Sequence, residues 1–155
     1  MLQNRKILFF LVAFLAFLVD QASKVIINLN FVLNEKFILV KNLFSLEKVF
    51  NTGAAFSIFS GNLIFLICVT VLAMSLILFI FFKRANKLHF AEILALAFIF
   101  GGALGNLLDR LIYGYVIDFI QCEFINFPIF NCADIFINIG VIIFLVGIFL
   151  WRDEK

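Results

Sequence analysis

The chain has 155 residues, of which 65% are hydrophobic, 24 are phenylalanine and only 14% are charged. Soluble domains carry roughly 45–50% apolar residues, so a water-soluble globule is excluded; with one proline and eight glycines, so is a disordered or low-complexity chain. A net charge of +2 with no Lys/Arg-rich block gives a nucleic-acid partner no footing.

Charges cluster between uncharged runs long enough to cross a bilayer, which takes roughly 20 apolar residues per helix. The pattern predicts an all-α polytopic membrane protein of a single domain, 1–155, with transmembrane helices at about 7–27, 63–82, 91–112 and 134–151. The first follows Arg5 and Lys6 and ends on a polar turn, where Asp20 and Lys24 stand four apart and can pair. A signal peptide begins in the same way, but no small-residue cleavage site follows the apolar run. The segment 28–62 is no ordinary loop: Lys36 to Phe50 mixes Phe, Leu, Val and Ile with polar residues, as short strands do.

The second span, Leu63 to Phe82, is uncharged and is closed by Lys83, Arg84, Lys87 and His89. The third carries Gly101 and Gly105 at the spacing that lets helices approach closely, and packing is their expected role. One turn later come Asn106, Asp109 and Arg110; a structural salt bridge or hydrogen-bond clamp is expected of the last two. In 113–133, Tyr115 to Ile120 reads as another strand, with Asp118 between Ile117 and Phe119, a costly place for a carboxylate unless it is paired or protonated. These segments predict a small sheet resting on the outer membrane surface. Asn131 is a suitable N-cap for the fourth span, which puts Asp134 in the first helical turn and Trp151 at the far interface as an anchor.

Basic residues set the orientation. Arg5, Lys6, Lys83, Arg84, Lys87, Arg152 and Lys155 crowd the termini and one short loop, whereas Lys24 and Arg110, at the ends of their spans, and Lys36, Lys41 and Lys48 are spread much more widely on the side of the two long segments. Both termini should be cytoplasmic and the long segments outside. The polar residues near membrane depth then gather at the outer interface, where each is a functional-site hypothesis. Asp118 and Asp134 suggest two carboxylates sharing a site, one keeping a proton while the other stays a base, which is the arrangement an aspartic protease uses to activate water. Asp134, near a capped helix N-terminus, is the expected ionised partner, and Asp118, between apolar neighbours, the protonated one. A single His89 leaves no parts for a His-based triad or a zinc site. Cys68 reads as packing, whereas Cys122 and Cys132 fall on one side of the membrane, where a disulfide stays open.

Five motifs carry a resemblance that spans nearly the whole chain: DQASK from Asp20, NTGAAFS from Asn51, GGALGNLLDR from Gly101, GYVIDF from Gly114 and FPIFNCAD from Phe127. In this order they resemble the lipoprotein signal peptidases, or signal peptidase II. The resemblance implies a catalytic dyad of Asp118 and Asp134, with supporting or substrate-binding roles for Asp20, Lys24, Asn51, Gly53, Asn106, Asp109, Arg110 and Asn131. It also implies four transmembrane helices, an outer sheet forming a cradle, and a short outer helix gating access. The substrate it implies is a diacylglyceryl-modified prolipoprotein cut just before the lipidated cysteine, processed in the bacterial inner membrane by a lipid-embedded monomer without metal or cofactor. Two other readings remain: a small ion or solute carrier using the clustered acids, which the one-sided clustering disfavours, and a thiol-disulfide enzyme using Cys122 and Cys132.

Overall fold

The structure, a computed structural model, describes residues 2–54 and 58–150. The anchor expected at Trp151, the basic residues Arg152 and Lys155, and Ala55 to Ser57 of the second motif lie outside the described residues. The elements in chain order are α1 (Leu2–Asn30), β1 (Lys36–Val40), β2 (Phe44–Asn51), α2 (Leu63–Arg84), α3 (Phe90–Tyr113), β3 (Val116–Cys122) and α4 (Cys132–Leu150). Three helices, α1, α2 and α3, are long and apolar enough to cross a membrane. The expected fourth corresponds to α4, which is apolar over Cys132–Gly147, its side chains beyond Gly147 lying outside the described residues.

Small residues set the helix packing. A Cβ on Gly101 would run into the Ala13 carbonyl and one on Gly105 into the Asp20 carboxylate, so α1 and α3 lie side by side in the same direction. Gly102 meets Ala133 and Gly140 meets Ala95, which runs α4 antiparallel to α3. The glycines therefore serve packing, as expected, and they bring the Gly102 to Asn106 stretch of α3 to the first turn of α4. At the other end, Phe9 stacks on Phe81 with centroids 4.2 Å apart, in a core with Ala13, Ile77, Leu96 and Ala97. Arg5 donates there to the Ala85 carbonyl at 2.8 Å, which places the N-terminus beside the α2–α3 turn. His89 caps α3 in a reciprocal box with Glu92.

The strands form an antiparallel three-stranded sheet in the order β1-β2-β3, and Phe130 pairs with Ile120 along the free edge of β3. Strand periodicity puts Val49, Asn51, Val116 and Asp118 on one face, through the pairs Val49↔Asp118 and Asn51↔Val116. Lys48 leaves the sheet to donate to the carbonyls of Asn28 and Phe31 at 3.3 and 3.0 Å, covering the carbonyl end of α1. The short outer helix is absent among the described residues: residues 33–34, 41–43 and 58–61 are turns. Cys68 is exposed on α2, not packed inside, because it points away from the side of the helix that buries Leu66, Met74, Ile77 and Phe81. Cys122 and Cys132 are free thiols.

Candidate active site

α4 begins beside β3, and its first turn is capped by two side chains. Asn131 Oδ1 accepts from the Asp134 N–H at 3.0 Å while the Asn131 N–H donates to Asp134 Oδ2 at 3.1 Å, and Asp20 Oδ1 takes the Ala133 N–H at 2.9 Å. Asn131 is thus the N-cap that its type and position predict. Asp20 adds a second cap from another helix.

Behind this turn lies a buried charge cluster. Lys24, 2% exposed, sits 2.8 Å from Asp20 and 2.9 Å from Asp109, and its third contact is Asn106 Oδ1 at 2.9 Å. Gln21 bridges the same carboxylates at 3.2 and 3.1 Å. Asp109 also accepts from the Ile117 N–H at 3.2 Å, tying β3 to α3. The expected clamp exists, but Asp109 pairs with Lys24, not with Arg110. Adjacent helical residues point about 100° apart, and Arg110 turns away to donate to the Gly53 carbonyl at 2.8 Å.

An ammonium can only donate, so Lys24 fixes which way the Asn106 amide faces. Its oxygen meets Lys24 and the Asn131 amide, and its NH2 therefore meets Asp134 Oδ1 at 2.9 Å. Asn131 Nδ2 in turn donates to Asp118 Oδ1 at 2.6 Å, and Asn51 Nδ2 donates to Asp118 Oδ2 at 2.8 Å. Asn51 is held by an Asx turn, its oxygen taking the Gly53 N–H at 2.9 Å. One amide network thus runs from Lys24 to both carboxylates.

Asn51, Asn106, Arg110, Asp118 and Asp134 line one cavity of about 670 Å³, whose other walls are mainly apolar residues of the sheet, α2, α4 and the 127–130 segment, with Thr70 and Asn138 the further polar ones. Asp20, Lys24, Asp109 and Asn131 stand behind it, and Gly53 touches it through Arg110. Burial, and secondly the charge of Asp134, push the Asp118 carboxyl up to about 7 against the lowering pull of Asn51, Asn131 and Lys24. Arg110 lies within electrostatic reach of both cavity carboxylates. Among the described residues no cluster of His, Cys, Asp and Glu is placed to hold a metal. Sequence reasoning missed Gln21 and Asn138; the first lay inside a quoted motif beside Asp20, the second one turn beyond Asp134 in the same cavity.

A buried Asp118 and a half-buried Asp134 facing one largely apolar cavity, beside helices fit for a membrane, point to a class of membrane enzyme, and comparison with known proteins agrees. The Signal peptidase (SPase) II family matches residues 12–150. The chain is 43% identical over 142 residues to a lipoprotein signal peptidase of Gloeothece citriformis, covering 91% of this chain and 88% of that one. It is 38% identical over 149 residues to one of Enterococcus faecalis, covering 96% and 91%. A bacterial membrane enzyme solved by the in meso method at 2.3 Å superposes with a TM-score of 0.87 at 31% identity, covering 94% and 89%. A second, solved at 1.9 Å, gives 0.83 at 32% identity, covering 90% and 91%. The chain belongs to the signal peptidase II family. It is therefore a bacterial membrane peptidase, and none of these likenesses supports a carrier.

Proposed function

We propose that the protein is an aspartic endopeptidase that removes the signal peptide from diacylglyceryl-modified prolipoproteins, cutting before the lipidated cysteine, with Asp118 and Asp134 as its catalytic pair. The observation that carries this is the placing of the two carboxylates on one cavity by the shared Asn106 and Asn131 amides. Asp134 is the base: it sits in the first turn of α4, where the helix dipole favours negative charge, and accepts from both a side-chain amide and a backbone N–H. It takes a proton from water. Asp118, with its carboxyl raised to about 7, keeps its proton and donates it to the scissile carbonyl as the tetrahedral intermediate forms. Asn51, Asn106 and Asn131 hold the acids, Arg110 fixes the Gly53 segment at the cavity, and Asp20, Lys24 and Asp109 keep the amides oriented.

The substrate's chemistry fits a site of this kind. A peptide whose signal helix and acyl chains lie in lipid presents its scissile bond at the interface, and the apolar cavity walls suit that company. In this reading α4 makes the fourth crossing, both termini are cytoplasmic, the sheet rests on the outer leaflet as a cradle, and the protein acts as a monomer. The test is incubation of the purified protein with a lipidated prolipoprotein peptide, followed by mass analysis. A product cut on the amino side of the lipidated cysteine is expected; an uncut peptide overturns the reading.

A further inference from the structure

The cavity does not stop at the carboxylates. Along α4 it continues past Asp134 to Ile137 and Asn138, and α2 adds Val69 and Thr70. Asn138 follows Asp134 by four residues, so it lies about 6 Å further along the helix axis, on the same side. Thr70 donates to the Leu66 carbonyl of its own helix at 2.8 Å. Asn138 differs: it is exposed on the cavity wall, and its amide has no hydrogen-bond partner among the described residues. The other carboxamides of this cavity near the acids, Asn51 and Asn106, are each tied at both ends.

An exposed amide flanked by Ile137 and Ile139 is costly where that face of α4 meets lipid in place of water, and an aliphatic side chain would remove that cost. The amide is accounted for by a group that arrives with the ligand. The next step rests on the proposed function. A scissile bond must be extended to reach the acids, so the signal helix ends near this point, and the last four carbonyls of a helix have no partner within it. In lipid those carbonyls have no water to turn to. The diacylglyceryl group brings carbonyl acceptors too, in its ester linkages.

We propose that Asn138 is a substrate-binding residue, donating through Nδ2 to a carbonyl oxygen of the bound substrate one helical turn deeper than Asp134. The carbonyl belongs either to the unwound end of the signal helix or to the lipid ester, and two substrates separate these sources. The full-length protein in detergent micelles is assayed on synthetic lipopeptides whose glyceryl group carries either ester-linked or ether-linked chains, with Asp118→Asn as the blank. Asn138→Val should lower kcat/KM about tenfold, mainly through KM, as loss of a binding hydrogen bond does. Its melting temperature should hold or rise, since an unpaired amide has been removed. Asn138→Thr has the shape of the valine variant plus one hydroxyl donor, and should recover most of the loss. A loss confined to the ester substrate assigns the lipid carbonyl, and an equal loss on both assigns the peptide carbonyl. If Asn138→Val cleaves both substrates within twofold of the parent, or if the valine and threonine variants fall equally with lowered melting temperatures, the inference is overturned while the peptidase stands. If the parent protein cleaves neither substrate, the proposed function fails and this inference with it.

Discussion

Asp118 receives two amide donors and is still held near neutrality, because its surroundings offer too little solvent to stabilise a second charge beside Asp134. Asp118→Asn and Asp134→Asn should each reduce turnover by on the order of 10²–10⁴-fold or more, the usual worth of a positioned acid or base. Both proteins should remain folded and inserted, which circular dichroism and size-exclusion profiles would show. Asp118 also makes a signed prediction for pH. Its folded carboxyl lies near 7 against an ordinary value of 3.8, so between those limits the folded state holds a proton that the unfolded state releases. Stability contributed by that proton is complete below about 3.8 and is lost as pH rises through about 7. The fall in melting temperature across that window should flatten in Asp118→Asn, and the protonated-carboxyl infrared band that fades near neutrality should be missing from it. A band that persists in Asp118→Asn and still titrates near neutrality would transfer the proton to another group. Lys24 is a different kind of residue, because its removal strands Asp20 and Asp109 without their cation. Lys24→Met should cost about 3–5 kcal/mol of stability, the range for breaking a buried pair, measured as loss of thermal stability in detergent. Arg110→Ala strands no such carboxylate, since Asp109 belongs to Lys24, and its effect should fall more on activity than on melting temperature.

At the scale of elements, α3 is the part against which the others are placed, and its glycines are where that placement is most brittle. A Cβ at Gly101 meets backbone atoms of Ala13, which cannot swing aside as a side-chain tip can. Gly101→Ala should therefore lower the melting temperature well beyond Leu72→Ala, a change on a lipid-fit surface where the side chain is 71% exposed; equal effects would show that α1 and α3 can part cheaply. Much of this was legible beforehand. Uncharged runs located the helices, and Phe-rich alternation located strands, because both signals are local. The Gly101 and Gly105 spacing announced a close approach, and Asn131 announced its cap. What stayed hidden was long-range or angular. Sequence adjacency suggested that Asp109 and Arg110 act together, yet they leave the helix in different directions. Lys48 covering the end of α1, and Asp20 capping α4, join residues whose proximity exists only after the helices have packed. Asn138 was passed over because an amide between isoleucines in an apolar run gives no signal until the cavity beside it is seen.

For the whole molecule the open quantity is which end faces the cytoplasm, and packing now adds to the charge count. Arg5 reaches the Ala85 carbonyl, so the N-terminus and the turn bearing Lys83, Arg84 and Lys87 share one end of the bundle. The other end holds the sheet, the cavity and the start of α4, since the carbonyl ends of α1 and α3 meet β2 and β3 there. The basic end is the one that should stay inside. Lys41 lies in the β1–β2 turn and Lys87 in the α2–α3 turn, both exposed. Lys41→Cys and Lys87→Cys, each in a background with Cys68, Cys122 and Cys132 replaced by serine, place one thiol at each end. A membrane-impermeant maleimide applied to intact cells should label only Lys41→Cys, and both should react once the membrane is opened. Labelling of Lys87→Cys alone on intact cells would invert the molecule. The carboxylates would then face the cytoplasm, away from the leaflet in which a lipid-modified, translocated substrate presents its scissile bond, so this measurement bears on the proposed reaction as well as on topology.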